Sequence, residues 1–316
     1  PLKLSSVLYR LEQKGSVARV MISNPQSANS LDNQVFDDFR ASFKRANEDK
    51  NVQVIIFDSA PIKTFIAGAN VPYFIRRIRE NKFQELKEDV ARWHDILFHR
   101  MTGSGKPKVA VVDGAAFGGG VEVALAFAYD PDSVVIITDR TSFAFPETRL
   151  GIYPGMRGTL LLSQLIYRAT GDAELAVALS RYYILAGGTA TSSPRMIKYL
   201  GFADFLVPAR KRDEAAEVVV EAIMKNGGKP LQAEQLQSLK IEELPSALTF
   251  EEKEEIRWMK DLFLKPDIVP TLYAYGRGQA DIFLSGASKE YAQRIARRVA
   301  NNSLHAVFMA DWLISR

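Results

Sequence analysis

Apolar positions along the chain change period as they go, and each change predicts an element. Val17, Arg19 and Met21 alternate with Ala18, Val20 and Ile22, which predicts a strand. Asn24-Pro25 ends it. Leu31, Val35, Phe39 and Phe43 then recur every four residues, an amphipathic helix opened by Ser30 or Asp32. Val52 to Phe57 reads as a second apolar strand, followed by a small-residue turn, Phe65-Ile66-Ala67-Gly68-Ala69-Asn70. Phe83, Leu86, Val90, Trp93 and Leu97 mark a long helix ending near Met101. Lys108 to Val112 reads as a buried strand turned by Asp113-Gly114, and Gly118-Gly119-Gly120 opens a very apolar helix, Val121 to Ala128. Val134 to Ile137 and Phe143 to Phe145 are two more strands. Strands alternating with helices in this way predict an α/β domain.

From about Asp213 onward the pattern is nearly all helical. Glu251 to Phe263 is charged with one apolar face, and Tyr291, Ile295 and Val299 sit at helical spacing. Asn226-Gly227-Gly228-Lys229-Pro230 reads as a hinge. The expected organisation is a core over residues 1–210 and a helical C-terminal region over 211–316, the latter serving assembly and pocket closure.

Composition narrows the chemistry. The 316 residues are 47% hydrophobic and 25% charged, which excludes disorder and coiled coil as the main class. There is no cysteine, so disulfides, thiolate metal sites and cysteine nucleophiles are excluded. Three histidines, His94, His99 and His305, supply a metal site poorly, and none is expected. The net charge of +4 suits a small anionic ligand and is too weak to argue for nucleic acid. The most apolar run, Val121 to Phe127, is interrupted by Glu122 and falls far short of a membrane span. The N-terminus carries no signal-peptide pattern. The expectation is a soluble cytoplasmic protein.

Catalysis must then rest on carboxylates, hydroxyls, Lys, Tyr or backbone. Ala67-Gly68-Ala69 and Gly118-Gly119-Gly120 each follow a strand, and small residues let a ligand approach the backbone closely. A helix start adds free N–H donors, so two such points can aim donors at one oxygen. The competing reading of both is a tight turn with close packing. Glu122 lies inside the apolar helix, and Glu147 follows Phe143-Ala144-Phe145-Pro146. Burying a carboxylate costs several kcal/mol unless it is paired or protonated. Two carboxyls brought close together cannot both ionise easily, which splits acid and base roles between them. Taken singly, each could instead be a cap or ion-pair carboxylate.

In order, these motifs resemble the crotonase (enoyl-CoA hydratase/isomerase) superfamily. The matching blocks are Asn24-Pro25 with Ala28-Asn29-Ser30-Leu31, then Phe65 to Val71, then Lys106 to Gly114 leading into Gly118-Gly119-Gly120-Val121-Glu122. Phe143 to Gly155 and Leu200 to Pro208 complete the set, so the resemblance covers roughly Val7 to Pro208. It implies a crotonase-like spiral of ββα turns with a helical C-terminal region, assembled as a homotrimer or hexamer. It implies an acyl-CoA substrate, with coenzyme A as part of the substrate and no separate cofactor. The backbone N–H groups of Ala69 and Gly119 would hold the thioester oxygen. Glu122 and Glu147 match the two glutamates of the family's hydratases, and Gly155 would help orient Glu147 or the water through its backbone. Ala28 and Ala67 fall where the family's backbone grips coenzyme A, with Gly68, Asn70 and Gly118 beside them. The implied reaction is reversible addition of water across the 2,3 double bond of an enoyl-CoA.

The match departs from the pattern in places. The hydratases usually have small residues where Met156-Arg157 stand before Gly158-Thr159. Arg157 could lower a carboxyl pKa, bind an anionic acyl group, or face solvent. Asn70 stands where Asp is common, and Ala186 to Pro194 departs from the usual helix. Tyr273, Tyr275 and Trp258 could line a substrate pocket or pack in the core. Other crotonase-type activities remain open: double-bond isomerisation, acyl-CoA hydrolysis, or a dehydratase/thioesterase reaction like that of the diffusible-signal-factor synthases. A non-catalytic binding protein is disfavoured by the presence of both glutamates.

Overall fold

A computed structural model describes residues 2–3, 6–186, 193–265, 267–278 and 287–303, with positions 306, 307, 309, 311 and 314. The chain opens with β1 (Leu2–Lys3), β2 (Val7–Glu12), β3 (Val17–Ile22) and α1 (Asn33–Glu48). Asp32 rather than Ser30 caps α1, accepting the N–H of Val35 at 3.1 Å. Three turns of one pattern follow. The first is β4 (Val54–Ser59), β5 (Thr64–Ile66), α2 (Val71–Arg79) and α3 (Phe83–Asp95), which runs on as a π-helical segment, Ile96–Met101. The second is β6 (Lys108–Val112), β7 (Ala115–Phe117) and α4 (Gly119–Tyr129). The third is β8 (Ser133–Thr138), β9 (Ser142–Ala144) and α5 (Glu147–Leu150). After it come α6 (Gly158–Thr170), α7 (Ala173–Leu185), α8 (Pro194–Tyr199) and β10 (Phe205–Val207). The remainder is helical: α9 (Arg212–Lys225), α10 (Ala233–Gln237), α11 (Phe250–Phe263), α12 (Ile268–Gly276) and α13 (Ala287–Ala300).

Each turn sends a long strand into one sheet and a short strand into another. The long strands form a seven-stranded sheet of order β1-β2-β3-β4-β6-β8-β10, antiparallel up to β3 and parallel beyond. The short strands form a parallel three-stranded sheet, β5-β7-β9. Side chains alternate across the large sheet with a period of two. Val54, Ile56, Val109, Val111, Val134 and Ile136 enter one core, while Ile55, Phe57, Ala110, Val112, Val135 and Ile137 enter the other. Burial on both faces explains why these strands read as unbroken apolar runs.

The smaller core is closed by α9 through Ala216, Val219, Val220 and Ile223. Gly227 and Gly228, in the segment read as a hinge, take left-handed φ and turn the chain back. Leu231, Leu236, Leu239 and Ile241 then pack on that same sheet face. The larger core takes α1, α4, α6, α7 and also α11 and α12, so residues on both sides of position 210 share both cores. Arg212 at the start of α9 reaches Asp113 at the end of β6 (2.6 Å), and Arg140 and Thr138 also hold that carboxylate. Most of Ala186–Pro194 and the side chains of Tyr291 and His305 lie outside the described residues.

Candidate active site

The C-terminal ends of β5, β7 and β9 lie side by side, because the three strands are parallel neighbours. Every central residue of the site follows one of them: Ala67-Gly68-Ala69 after β5, Gly118-Gly119 after β7, and Glu147 after β9. Strand ends of this kind are where α/β sheets present ligand-binding loops.

The glycines are dictated by close approach. A Cβ on Gly120 would lie 2.2 Å from the carbonyl oxygen of Ile66, so only glycine lets α4 seat on β5. A Cβ on Gly118, whose φ is +51°, would lie 2.6 Å from Oε1 of Glu147. The β5 loop is fixed by α1's leading edge: Leu31 N–H donates to Gly68 and Asn70 N–H donates to Leu31, each at 2.8 Å. That pairing skips the N–H of Ala69. The N–H of Gly119, the first helical residue of α4, has no preceding turn to bond. Among the described residues, neither amide donates to another backbone carbonyl. They are neighbours: a Cβ built on Gly119 would lie 3.8 Å from the Ala69 nitrogen. Leu31 and Met156 form apolar walls beside Gly119.

Glu122 and Glu147 are buried, 2% and 6% exposed. Oε1 of Glu122 accepts the N–H groups of Met156 (2.6 Å) and Gly158 (2.8 Å). Burial nevertheless dominates and pushes its pKa up to about 7 against those amides. Glu147 is raised well above the ordinary carboxyl value, first by burial and then by the charge of Glu122. Its Oε2 is buried and finds no hydrogen-bond partner among the described residues. The pair can therefore hold one proton near neutral pH and titrates as a unit.

Several expected roles change. Gly155, expected to orient Glu147 or a water, adjoins the Met156 amide that holds Glu122, and its backbone also works to lower the Glu122 pKa. The charge of Arg157 is not among the causes of either shift: burial leads at both, opposed by backbone amides at Glu122 and reinforced by the charge of Glu122 at Glu147. Its side chain is exposed and lies over the ring of Phe98, guanidinium carbon to centroid 4.8 Å. It holds a left-handed φ of +67°, a conformation that costs a non-glycine residue about 1–2 kcal/mol. The side chain of Asn70 caps α2, accepting the N–H of Tyr73 at 3.2 Å, and reaches Asp32 at 3.3 Å. Ala28 and Ala67 do meet: the Ala28 carbonyl accepts the Ala67 N–H at 3.2 Å. Tyr273, Tyr275 and Trp258 are half-buried against the larger core. Sequence reasoning missed Met156 and Gly158 as carboxylate donors, because backbone N–H groups carry no residue-type signal. Among the described residues no acidic or histidine cluster could hold a metal ion.

Known proteins share the family and the fold of this chain. The profile of the enoyl-CoA hydratase/isomerase family matches residues 17–310. The chain belongs to that family. It is 32% identical over 167 residues to a short-chain-enoyl-CoA hydratase of Clostridium acetobutylicum, covering 52% of this chain and 59% of that one. It is 29% identical over 231 residues to the fatty acid oxidation complex subunit alpha of Acinetobacter baylyi, covering 71% of this chain and 29% of that one. The chain thus spans well under two thirds of the length of these relatives. A carnitinyl-CoA dehydratase from Mycobacterium thermoresistibile superposes with a TM-score of 0.70 at 23% identity, over 98% of this chain and 80% of that one. An enoyl-CoA hydratase from Rhodobacter sphaeroides gives 0.69 at 19% identity, over 99% and 79%. At those identities the likeness establishes the fold, an α/β crotonase fold. No helix among the described residues is long and apolar enough to cross a membrane.

Proposed function

We propose that the protein is an enoyl-CoA hydratase, adding water reversibly to the 2,3 double bond of an acyl-CoA thioester. The observation that carries this reading is the buried pair Glu122–Glu147, of which Glu122 sits near pH 7 and Glu147 well above its ordinary range. The Ala69 and Gly119 amides form the oxyanion hole for the thioester oxygen. As the water oxygen bonds to C3, the π electrons of the double bond move onto the thioester as an enolate, and these fixed dipoles stabilise it. Removing one such donor typically costs about 2.7–4 kcal/mol. Glu122 accepts the proton of the attacking water as general base. Glu147, raised well above its ordinary value by burial and by the charge of Glu122, delivers a proton to C2 as the enolate collapses. The product gains one water, and the two carboxyls return to their starting states by exchanging protons. Ala28, Ala67, Gly68 and Gly118 shape the backbone along which coenzyme A lies, and a homotrimer or hexamer in the cytoplasm is the assembly and setting we expect.

The test is incubation with crotonyl-CoA and a medium-chain 2-enoyl-CoA, following the conjugated thioester absorbance and free thiol together. Loss of absorbance without thiol is expected. Release of thiol would overturn hydration in favour of hydrolysis, and no change with either substrate would overturn the enzyme reading.

A further inference from the structure

Arg157 departs from the family pattern at a sensitive point. It stands between Met156 and Gly158, whose N–H groups both hold Oε1 of Glu122. For amides two residues apart to converge on one oxygen, the residue between them must turn the chain, as in other backbone anion cradles. Arg157 makes that turn with φ +67°, a conformation glycine adopts without strain. An arginine there brings a long side chain, and the structure gives it a contact. Its guanidinium lies 4.8 Å from the centroid of Phe98, in the π-helical run that continues α3. Two residues earlier in the same loop, a Cβ built on Gly155 would lie 3.6 Å from Cγ1 of Val90, eight residues before Phe98. The loop that supplies the amides thus runs close to this helical run at Gly155 and touches it through Arg157.

We propose that the Arg157–Phe98 contact is a clip that fixes the left-handed turn and so sets the aim of the two amides on Glu122. Arg157 is then a positioning residue that acts through the loop and does not touch substrate. Its importance for turnover rests on the reading of Glu122 as general base; its effect on Glu122 itself does not. Aligned amides favour the carboxylate over the acid, so loosening them lets burial push the Glu122 pKa higher. The ionisable group facing Glu122 is Glu147. His94, whose ring is 4.8 Å from that of Phe98, feels the charge of Arg157, and His99 and Asp95 act on it as well. His94 is held below its ordinary pKa by burial first and then by Arg157 and His99, so near neutral pH it adds little competing positive charge.

The experiment is a 13C NMR titration of protein labelled at the glutamate carboxyls, with the Glu122 signal assigned by its loss in Glu122→Gln. Wild type, Arg157→Ala, Phe98→Leu and the double variant are compared without substrate. Alanine keeps the Cβ that makes the left-handed turn costly and removes the guanidinium, so Arg157→Ala takes away the clip alone. Each single variant is expected to raise the Glu122 midpoint by about 0.5 pH or more, roughly a threefold change in the ionised ratio. The double variant should go no further than the larger single one, since both remove the same contact. Arg157→Lys, which keeps a cation for the ring, should sit nearer wild type. The acid limb of kcat against pH should move up with the midpoint while KM stays put. An unchanged midpoint in Arg157→Ala, or single-variant shifts that simply add, would overturn the clip. If the midpoints move as stated but wild type hydrates no enoyl-CoA, the clip stands and the hydratase reading falls. If hydration occurs and the midpoints do not move, the clip alone falls.

Discussion

Asp113 and Glu122 stand nine residues apart, each 2% exposed, and burial has opposite outcomes at the two. Asp113 is held by Arg140, Arg212 and the Thr138 hydroxyl, and these partners keep its pKa below the ordinary value in spite of burial. Glu122 has backbone amides and, among the described residues, no cation, and its pKa rises to about 7. Glu147, also buried, has the negative charge of Glu122 as its neighbour and is raised well above its ordinary value. The difference separates two uses of a buried carboxylate. Where arginines neutralise it, the carboxylate ties α9 to the large sheet. Where no cation is supplied, it is left free to gain and lose a proton near neutral pH.

Substitutions can test that contrast directly. Glu122→Gln and Glu147→Gln should each lower kcat by about 10²–10⁴-fold, measured with crotonyl-CoA, while circular dichroism stays that of the wild type. Asp113→Asn should do the reverse. It leaves partly exposed arginines facing a neutral amide, and denaturant unfolding at pH 7 should show a loss of roughly 1–3 kcal/mol, with turnover per folded molecule retained.

The pH dependence of stability should run in opposite directions at the two sites. The folded pKa of Glu122 lies above its unfolded value, so its contribution is fully present below about pH 4.5 and is lost as pH rises through about 7. Glu122→Gln removes that loss, so at pH 8 it should be more stable than wild type by roughly 2–4 kcal/mol, and little different at pH 4. Asp113 has a depressed folded pKa, so its contribution is present above its unfolded pKa and lost as pH falls through the folded one. The deficit of Asp113→Asn should therefore shrink in acid. Parallel pH profiles for the two variants would break the comparison.

Smaller effects sharpen it. Gly118→Ala places a Cβ against Glu147 at a left-handed position, so it should cost about 1–3 kcal/mol in unfolding and reduce kcat as Glu147 is displaced. Asp32→Ala removes the cap of α1 and the hydrogen bond from Asn70, so a stability loss of about 1–2 kcal/mol is expected, with kcat near wild type.

The long strands were legible because both faces of the large sheet are buried, which makes Val54–Ser59, Lys108–Val112 and Ser133–Thr138 continuous apolar runs. Ala115–Phe117 was not, since three residues are too few to show a period. Nor does helical spacing in α9 say which sheet face it will cover, so its place in the smaller core had to come from the structure. At the site, Glu122 and Glu147 stood out as carboxylates in apolar surroundings. The amides of Met156 and Gly158 did not, and Arg157 drew attention to its charge, although its contact is with Phe98.

The most direct test of the account is isotopic. A 2-enoyl-CoA is incubated with the protein in deuterated, 18O-enriched water, and the product is read by mass spectrometry and NMR. Wild type should place one 18O at C3 and one non-exchanging deuterium at C2, and Glu122→Gln and Glu147→Gln should place almost none. Equal incorporation by the variants, or none by the wild type, would contradict the claim that these two buried carboxyls carry the protons of water addition.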